Sequence, residues 1–238
     1  MRVRDPRRTV AVMEAIAENP PAEIASGRWG RLVAALYDPM LWAGELAGLR
    51  AHRRELLRQA RGRTLELGSG TGLNVPHYPD DLAELILTEP AAPMRKRLER
   101  AIRAHDCSAS VLDAAAERLP VADASIDTVV ATLLLCTVDE PHVVLAEIRR
   151  VLKPDGRLLF LEHVRAESPR LAAWQDRLEE PWRRFAEGCR CNRATVELIE
   201  SVGFTLEQRS DAAWHAMPRI VRPIASGIAR PNQPTATD

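Results

Sequence analysis

A short apolar segment that leads into a glycine-rich turn constrains this chain more than any other feature. Residues 63–67 have the composition of a buried strand, and Gly68, Gly70 and Gly72 follow before a helix-like segment. Glycine accepts positive φ angles, and the free N–H groups at a helix N-terminus can bind a ligand. The segment therefore predicts a nucleotide- or nucleoside-binding turn in an α/β fold, the alternative being a purely structural turn.

The residues around the turn narrow the choice of ligand. Glu66 precedes the glycines by two positions, and a carboxylate there repels a diphosphate but attracts a positively charged ligand. A nicotinamide-type fingerprint also needs its third glycine at position 73, where this chain has Leu73 after Gly72. We therefore predict S-adenosylmethionine, which carries an ammonium and a sulfonium, and disfavour a nicotinamide-dependent oxidoreductase.

A second acidic residue supports a nucleoside ligand. The apolar run Leu85 to Thr88 ends at Glu89, about 20 residues beyond the glycines, where doubly wound sheets place the carboxylate that accepts hydrogen bonds from ribose hydroxyls. Glu89 is thus the predicted ribose ligand.

Strand-like and helix-like segments alternate after Arg63, which predicts a parallel sheet covered by helices on both faces. We divide the chain into an N-terminal arm (1–26), a helical cap (27–60), the main domain (61–230) and a disordered tail (231–238). Lys153 to Gly156 is interpreted as a turn before a strand that starts at Arg157. Trp174, Trp182 and Phe185 form a helical stripe that we expect to be buried.

Composition limits the function classes. Acidic and basic residues are equal in number, so nothing points to nucleic acid. The four cysteines lack CxxC spacing, no metal site is expected, and no apolar run reaches the ~18 residues of a membrane span. These observations predict a cytoplasmic protein with reduced thiols, and peripheral membrane contact through residues 27–60 is the less favoured alternative.

Several motifs, taken in order, make residues 60–210 resemble the class I S-adenosylmethionine-dependent methyltransferases. The motifs lie at 65–72, at Glu89, at 117–120, at 126–127 and at 146–156. The segments 132–138, 161–164, 180–182 and 192–195 are more closely similar to a group whose animal members are alkyl-thiol S-methyltransferases. The resemblance implies a doubly wound, mostly parallel, seven-stranded Rossmann-like sheet, with N-terminal helices and a helical insertion after the fifth strand.

The resemblance also implies roles for individual residues. The glycine turn would lie against the methionine part of the cofactor, with Glu66 near its amine. Many relatives have an aspartate and a small residue beside the adenine, whereas this chain has Ala115 and Ala116. The implied cofactor-binding residues are Glu66, Gly68, Ser69, Gly70, Thr71, Gly72, Asn74, Glu89, Ala115, Ala116 and Leu133.

The methyl acceptor is less defined by the sequence. We expect a small, apolar acceptor with a thiol favoured; the alternatives are a phospholipid or quinone methyltransferase and a non-catalytic S-adenosylmethionine-binding protein. A thiol must lose its proton before it attacks, and His163, at the end of a predicted strand, is the candidate catalytic base. The competing interpretation is a histidine that packs at the strand end.

Overall fold

The computed structural model describes residues 44–186 and 188–232. The predicted arm (1–26), residues 27–43 of the predicted cap and residues 233–238 of the predicted tail lie outside the described residues. Among the described residues, no helix combines the length and the apolar character needed to cross a bilayer.

A single twisted sheet forms the centre of the fold, with the strand order β3-β2-β1-β4-β5-β7-β6. The first five strands pair in parallel, and β7 is antiparallel to both of its neighbours, so the seven-stranded, mostly parallel sheet is confirmed. The strands are β1 (Arg63–Leu67), β2 (Glu84–Thr88), β3 (Ser110–Leu112), β4 (Ile126–Thr132), β5 (Leu152–His163), β6 (Phe204–Ala213) and β7 (Pro223–Pro231).

Helices cover both faces of the sheet. A π-helical turn (Glu45–Leu49) leads into α1, short 3-10 turns occur at Val75–His77 and Arg219–Val221, and α4 with the loop after it forms the insertion after the fifth strand. The helices are α1 (Arg50–Leu57), α2 (Ala92–Ala104), α3 (Pro141–Val151), α4 (Pro169–Phe185) and α5 (Thr195–Ser201). Because parallel strands end at one edge, the turns after β1, β2, β4 and β5 lie together there.

Two details of the sheet differ from the sequence prediction. The prediction of a turn at Lys153–Gly156 is wrong, because these residues are part of β5. The pairing of β5 with β4 shifts register after Ile126, and this irregularity accommodates the proline and the glycine. Strand β7 has a proline at each end and Gly227 in its middle, and this composition does not predict a strand. Position 227 requires a glycine, because the Cβ of any other residue would lie 2.2 Å from the Gln208 carbonyl oxygen.

The expected burial of the aromatic stripe on α4 is wrong in part. Trp174 and Phe185 are 55% and 64% exposed. The helix instead buries Ala172 and Gln175. The Gln175 amide is fully hydrogen-bonded, so this polar side chain occupies the inward position that an aromatic residue was expected to fill.

Candidate functional site

The glycine turn after β1 needs glycine for two different reasons. Gly68, Gly70 and Gly72 have φ angles of +60°, +56° and +90°, a region that side chains rarely adopt. A Cβ would also lie 2.7 Å from Leu134 Cδ1 at Gly68 and 2.8 Å from Ala101 Cβ at Gly72. At Gly70 it would meet no heavy atom closer than 4.0 Å, so the backbone there borders open space that a ligand can enter.

Glu66 is buried at the end of β1, on the same side as the turn. Asn74 Nδ2 donates to its Oε1 at 2.7 Å, and the Tyr78 hydroxyl donates to its Oε2 at 2.7 Å. Burial raises the pKa of Glu66, while these two donors and the Arg53 guanidinium oppose the rise. The carboxylate is therefore fixed in direction and would gain from a cationic partner.

Arg53 is a residue that the sequence prediction assigned no site role. It reaches from α1 and donates through Nη1 to Asn74 Oδ1 at 2.9 Å and to Thr132 Oγ1 at 3.3 Å. Its Nε donates to Glu45 Oε1 at 3.0 Å. The sequence contained evidence for this role, because Arg53 falls within the apolar face of α1, between Leu49 and Leu56. A charged residue on a buried face usually has a specific partner inside the protein.

These side chains surround a small cavity. Its volume is about 30 Å³, which suits a small terminal group such as an ammonium or a carboxylate. The Ser69 hydroxyl beside it is buried and has no hydrogen-bond partner within the described ranges. The lining residues are Arg53, Glu66, Gly68, Ser69, Gly70, Thr71, Leu73, Asn74 and Thr132.

The charges of this cavity fit the amino-acid end of S-adenosylmethionine. Glu66 offers a carboxylate to an ammonium group, and Arg53 offers a guanidinium to a carboxylate. The unpartnered Ser69 hydroxyl and the open space at Gly70 are further features that a bound group would satisfy. The residues present therefore fit that cofactor.

Glu89 lies directly after β2, beside the glycine turn. Its Oε2 accepts from the Gly70 N–H at 2.9 Å, and its Oε1 accepts from the Ala91 N–H at 2.8 Å. Burial raises the pKa of Glu89, and the two N–H donors oppose the rise. Each oxygen keeps a lone pair for a further donor, as ribose binding by this residue requires.

The remaining predicted cofactor residues follow neighbouring strands. Ala116 is buried and Ala115 is half-buried in the segment after β3. Asp113, the nearest carboxylate, is engaged by Arg95 in two hydrogen bonds of 2.9 and 2.6 Å. Leu133 follows β4 with a φ of +54°, and its N–H donates to the Leu161 carbonyl at 2.8 Å.

His163, the predicted catalytic base, ends β5 and is buried. Its ring stacks on Trp214 with 5.5 Å between the ring centroids, and its Nδ1 has no hydrogen-bond partner in the described part of the chain. His163 does not line the small cavity. Burial lowers its pKa to about 4, although the backbone of Val221 and Pro223 opposes this.

The lowered pKa of His163 gives a prediction for stability. Below about pH 6.5 the unfolded chain binds a proton that the folded protein does not, so folding should weaken as the pH falls from 6.5 to 4. We expect His163→Phe to remove about 3 kcal/mol of this pH-dependent loss, measured by urea unfolding across that range. The exposed His142→Phe is the matched control, and an identical pH profile for wild type and His163→Phe would contradict the prediction.

Glu162 points to the other side of the strand. Its carboxylate accepts from the N–H groups of Leu134, Leu135 and Cys136 at 3.0, 2.9 and 3.1 Å. Glu162 therefore holds the loop that follows β4, directly after Thr132 of the small cavity. The Cys136 and Cys189 sulfurs lie 4.0 Å apart in a buried cluster beside this loop.

Comparisons with known proteins show which family this chain is similar to. The methyltransferase domain family matches residues 65–160. Thiol S-methyltransferase TMT1B of Homo sapiens is 35% identical over 66% of this chain and 69% of its own length. The ubiquinone/menaquinone biosynthesis C-methyltransferase UbiE of Rubrivivax gelatinosus is 29% identical over 77% of this chain and 78% of its own.

The fold is also that of solved methyltransferases. A SAM-dependent methyltransferase from Thermotoga maritima superposes with a TM-score of 0.63 at 21% identity, covering 85% of this chain and 97% of that one. Because the chain contains a methyltransferase domain, the protein is an enzyme, and its cofactor is S-adenosylmethionine. The chain belongs to the S-adenosylmethionine-dependent methyltransferases, in the family that includes the thiol S-methyltransferases.

Proposed function

We propose that this methyltransferase transfers the methyl group to the sulfur of a small apolar thiol. The observation that carries the proposal is the 35% identity to a thiol S-methyltransferase over two thirds of both chains. Apolar residues that line open space at the carboxyl edge of the sheet, Val164 and Leu171 among them, support an apolar acceptor. A quinol is the second candidate, because a quinone C-methyltransferase is also similar to the chain.

The cofactor supplies an electrophilic methyl group on a sulfonium, so the protein mainly has to hold the reactants in line and keep water away. We assign Glu66 to the ammonium and Arg53 to the carboxylate of the methionine part. Glu89 holds the ribose hydroxyls, and the Gly70 backbone allows close approach. Asn74 links Glu66 to Arg53, so the two charged groups keep a fixed separation.

On the acceptor side we assign His163 the role of orienting the thiol. With a pKa lowered to about 4, the imidazole stays neutral at pH 7 and accepts a hydrogen bond from the S–H group. Full transfer of the proton to His163 is unfavourable, because even a free cysteine thiol has a pKa of about 8.5, so the proton is lost to solvent and the thiolate attacks the methyl carbon. The rate should therefore rise with pH towards the pKa of the acceptor thiol.

The test of this function is a transfer assay with labelled S-adenosylmethionine. The panel contains an alkyl thiol, a reduced quinone and phosphatidylethanolamine, and product is identified by mass spectrometry. We expect methyl thioether from the alkyl thiol, formed faster at pH 8.5 than at pH 7. Label in the quinol or the phospholipid alone would overturn the thiol proposal in favour of that acceptor, and cofactor binding without transfer would indicate a binding protein.

The role of Arg53 can be tested with a cofactor that lacks the carboxylate. We expect Arg53→Met to weaken S-adenosylmethionine binding by about 30-fold, because it removes a charge-assisted contact of about 2 kcal/mol. Decarboxylated S-adenosylmethionine should bind wild type and Arg53→Met with similar affinity in a calorimetric titration. Arg54→Met, exposed one position along the same helix, is the control. An equal loss for both cofactors would show that Arg53 acts only on the fold.

A further inference from the structure

A second and much larger cavity opens at the same carboxyl edge. It is a groove of about 1080 Å³ between the N-terminal half of α4, the end of β6, the start of β7 and the 3-10 turn Arg219–Val221. A volume of this order is typical of small-molecule sites. Its apolar lining includes Val164, Leu171, Trp174, Leu178 and Ile220. Trp174 is 55% exposed in it, so a large apolar surface faces solvent there.

The walls of the groove are held together by one buried side chain. Gln175 Nε2 donates to the carbonyls of Cys191 and Ile220 at 2.8 and 2.9 Å, and Gln175 Oε1 accepts from the Ala166 N–H at 2.8 Å. These contacts tie α4 to the loop after β5 and to the 3-10 turn. The walls of the groove are thus preorganised, so a ligand can bind without a rearrangement of the protein.

The charges around the groove favour an anion. Five arginines line it, against two acidic residues, Glu167 and Asp211. Arg165 is neutralised by Asp176 through two parallel hydrogen bonds, and Arg209 Nε donates to both oxygens of Asp211. In residues 44–186 and 188–232, Arg170 and Arg219 have no side-chain partner, and both are exposed on the rim. An apolar interior with two uncommitted guanidinium groups matches a molecule with an apolar chain and an anionic end.

The groove lies within reach of the methyl-transfer site. Thr132 lines the cofactor cavity and is paired with Leu161 on β5, and Val164 of the groove comes three residues after Leu161, directly past the end of that strand. One strand spacing across and three residues along correspond to roughly 11 Å. An extended alkyl chain can span that distance from the groove to the edge of the cofactor cavity.

We propose that this groove binds the apolar chain and the anionic end of an amphiphilic methyl acceptor, whose reacting thiol lies at the opposite end of the chain. The inference rests on the proposed thiol chemistry and adds the acceptor class, an ω-thiol carboxylate of fatty-acid type. The carboxylate is held by Arg170 and Arg219, the chain lies against Trp174 and Leu171, and the sulfur reaches the cofactor edge beside Thr132.

The first test is binding, which does not depend on the chemistry of the acceptor. Dodecanoate and dodecanol are titrated calorimetrically into the full-length protein and into the double variant Arg170→Gln/Arg219→Gln. We expect the double variant to lose about tenfold in dodecanoate affinity and to keep its dodecanol affinity, because two exposed charge contacts contribute about 1.4 kcal/mol together. The control is Arg100→Gln/Arg103→Gln, which makes the same charge change on the exposed side of α2.

The second test is transfer. We expect the double variant to raise KM for ω-mercaptoundecanoate about tenfold without changing kcat, and to leave both constants for propanethiol unchanged. Absence of dodecanoate binding, or equal affinity in wild type and the double variant, would overturn the inference. If dodecanoate binds as expected but no thiol gains a methyl group, the thiol chemistry fails and the groove remains the site of an anionic amphiphile.

Discussion

Replacing Glu89 with alanine is expected to weaken S-adenosylmethionine binding by about 100-fold. The variant loses an ionised acceptor for the ribose hydroxyls, and two hydrogen bonds to a charged group are together worth about 3 kcal/mol. The variant also leaves the N–H groups of Gly70 and Ala91 without the hydrogen bonds that they donate to Glu89 in the wild type, at 2.9 and 2.8 Å. The glycine turn would then lose one of its contacts with the end of β2 and keep the hydrogen bond from the Ser69 N–H to the Thr88 carbonyl.

The measurement is a calorimetric titration with S-adenosylmethionine, after circular dichroism has shown an intact fold. Glu89→Gln keeps one carbonyl oxygen, so its loss should be smaller, about tenfold. Glu84→Ala is the matched control, since Glu84 is exposed at the other end of β2 and, among the described residues, its carboxylate pairs only with Arg63, at 2.5 Å. An unchanged affinity in a folded Glu89→Ala protein would show that the ribose is held elsewhere.

The sequence was sufficient to predict the position of a candidate site residue where that residue lies next to the element that positions it. Glu66 and Glu89 each sit at the carboxyl end of an apolar strand, so pattern alone predicts their edge of the sheet. The glycine turn is similarly local, because its positive φ angles are a property of three neighbouring residues. For the same reason β1 has the predicted bounds Arg63–Leu67, and the apolar run Leu85 to Thr88 ends where β2 ends.

The sequence was insufficient where packing between distant segments decides the contact. Arg53 meets Asn74 and Thr132, which lie 21 and 79 residues away, so its role depends on how α1 packs on the sheet. Trp174 looked like a core residue, but Gln175 takes the inward position because three carbonyls converge on its amide. The groove cannot be recognised in the sequence, because the residues that line it come from three separate stretches of the chain, within 164–178, 209–213 and 218–224.

The largest effect on stability is expected from Glu162. This carboxylate is fully buried and is the acceptor for the N–H groups of Leu134, Leu135 and Cys136. Burial raises its pKa well above the usual range, and the three donors oppose the rise. In the same loop, Arg193 Nη1 donates to the carbonyls of Leu135 and Val138. The loop that starts beside the cofactor cavity is therefore fixed through both its N–H groups and its carbonyls.

Glu162→Ala leaves three buried N–H groups without an acceptor, and each such group costs about 1–3 kcal/mol. We expect a loss of about 5 kcal/mol in the free energy of unfolding, measured by urea denaturation, which is a large part of the stability of a typical domain. Glu162→Gln keeps the oxygen that serves Leu134 and Leu135 and turns an amide towards Cys136, so about half of that loss is expected. The exposed Glu167→Ala is the control. If Glu162→Ala does not fold, the stability of Glu162→Gln is measured instead. A Gln variant as stable as wild type would show that the loop is held without this carboxylate.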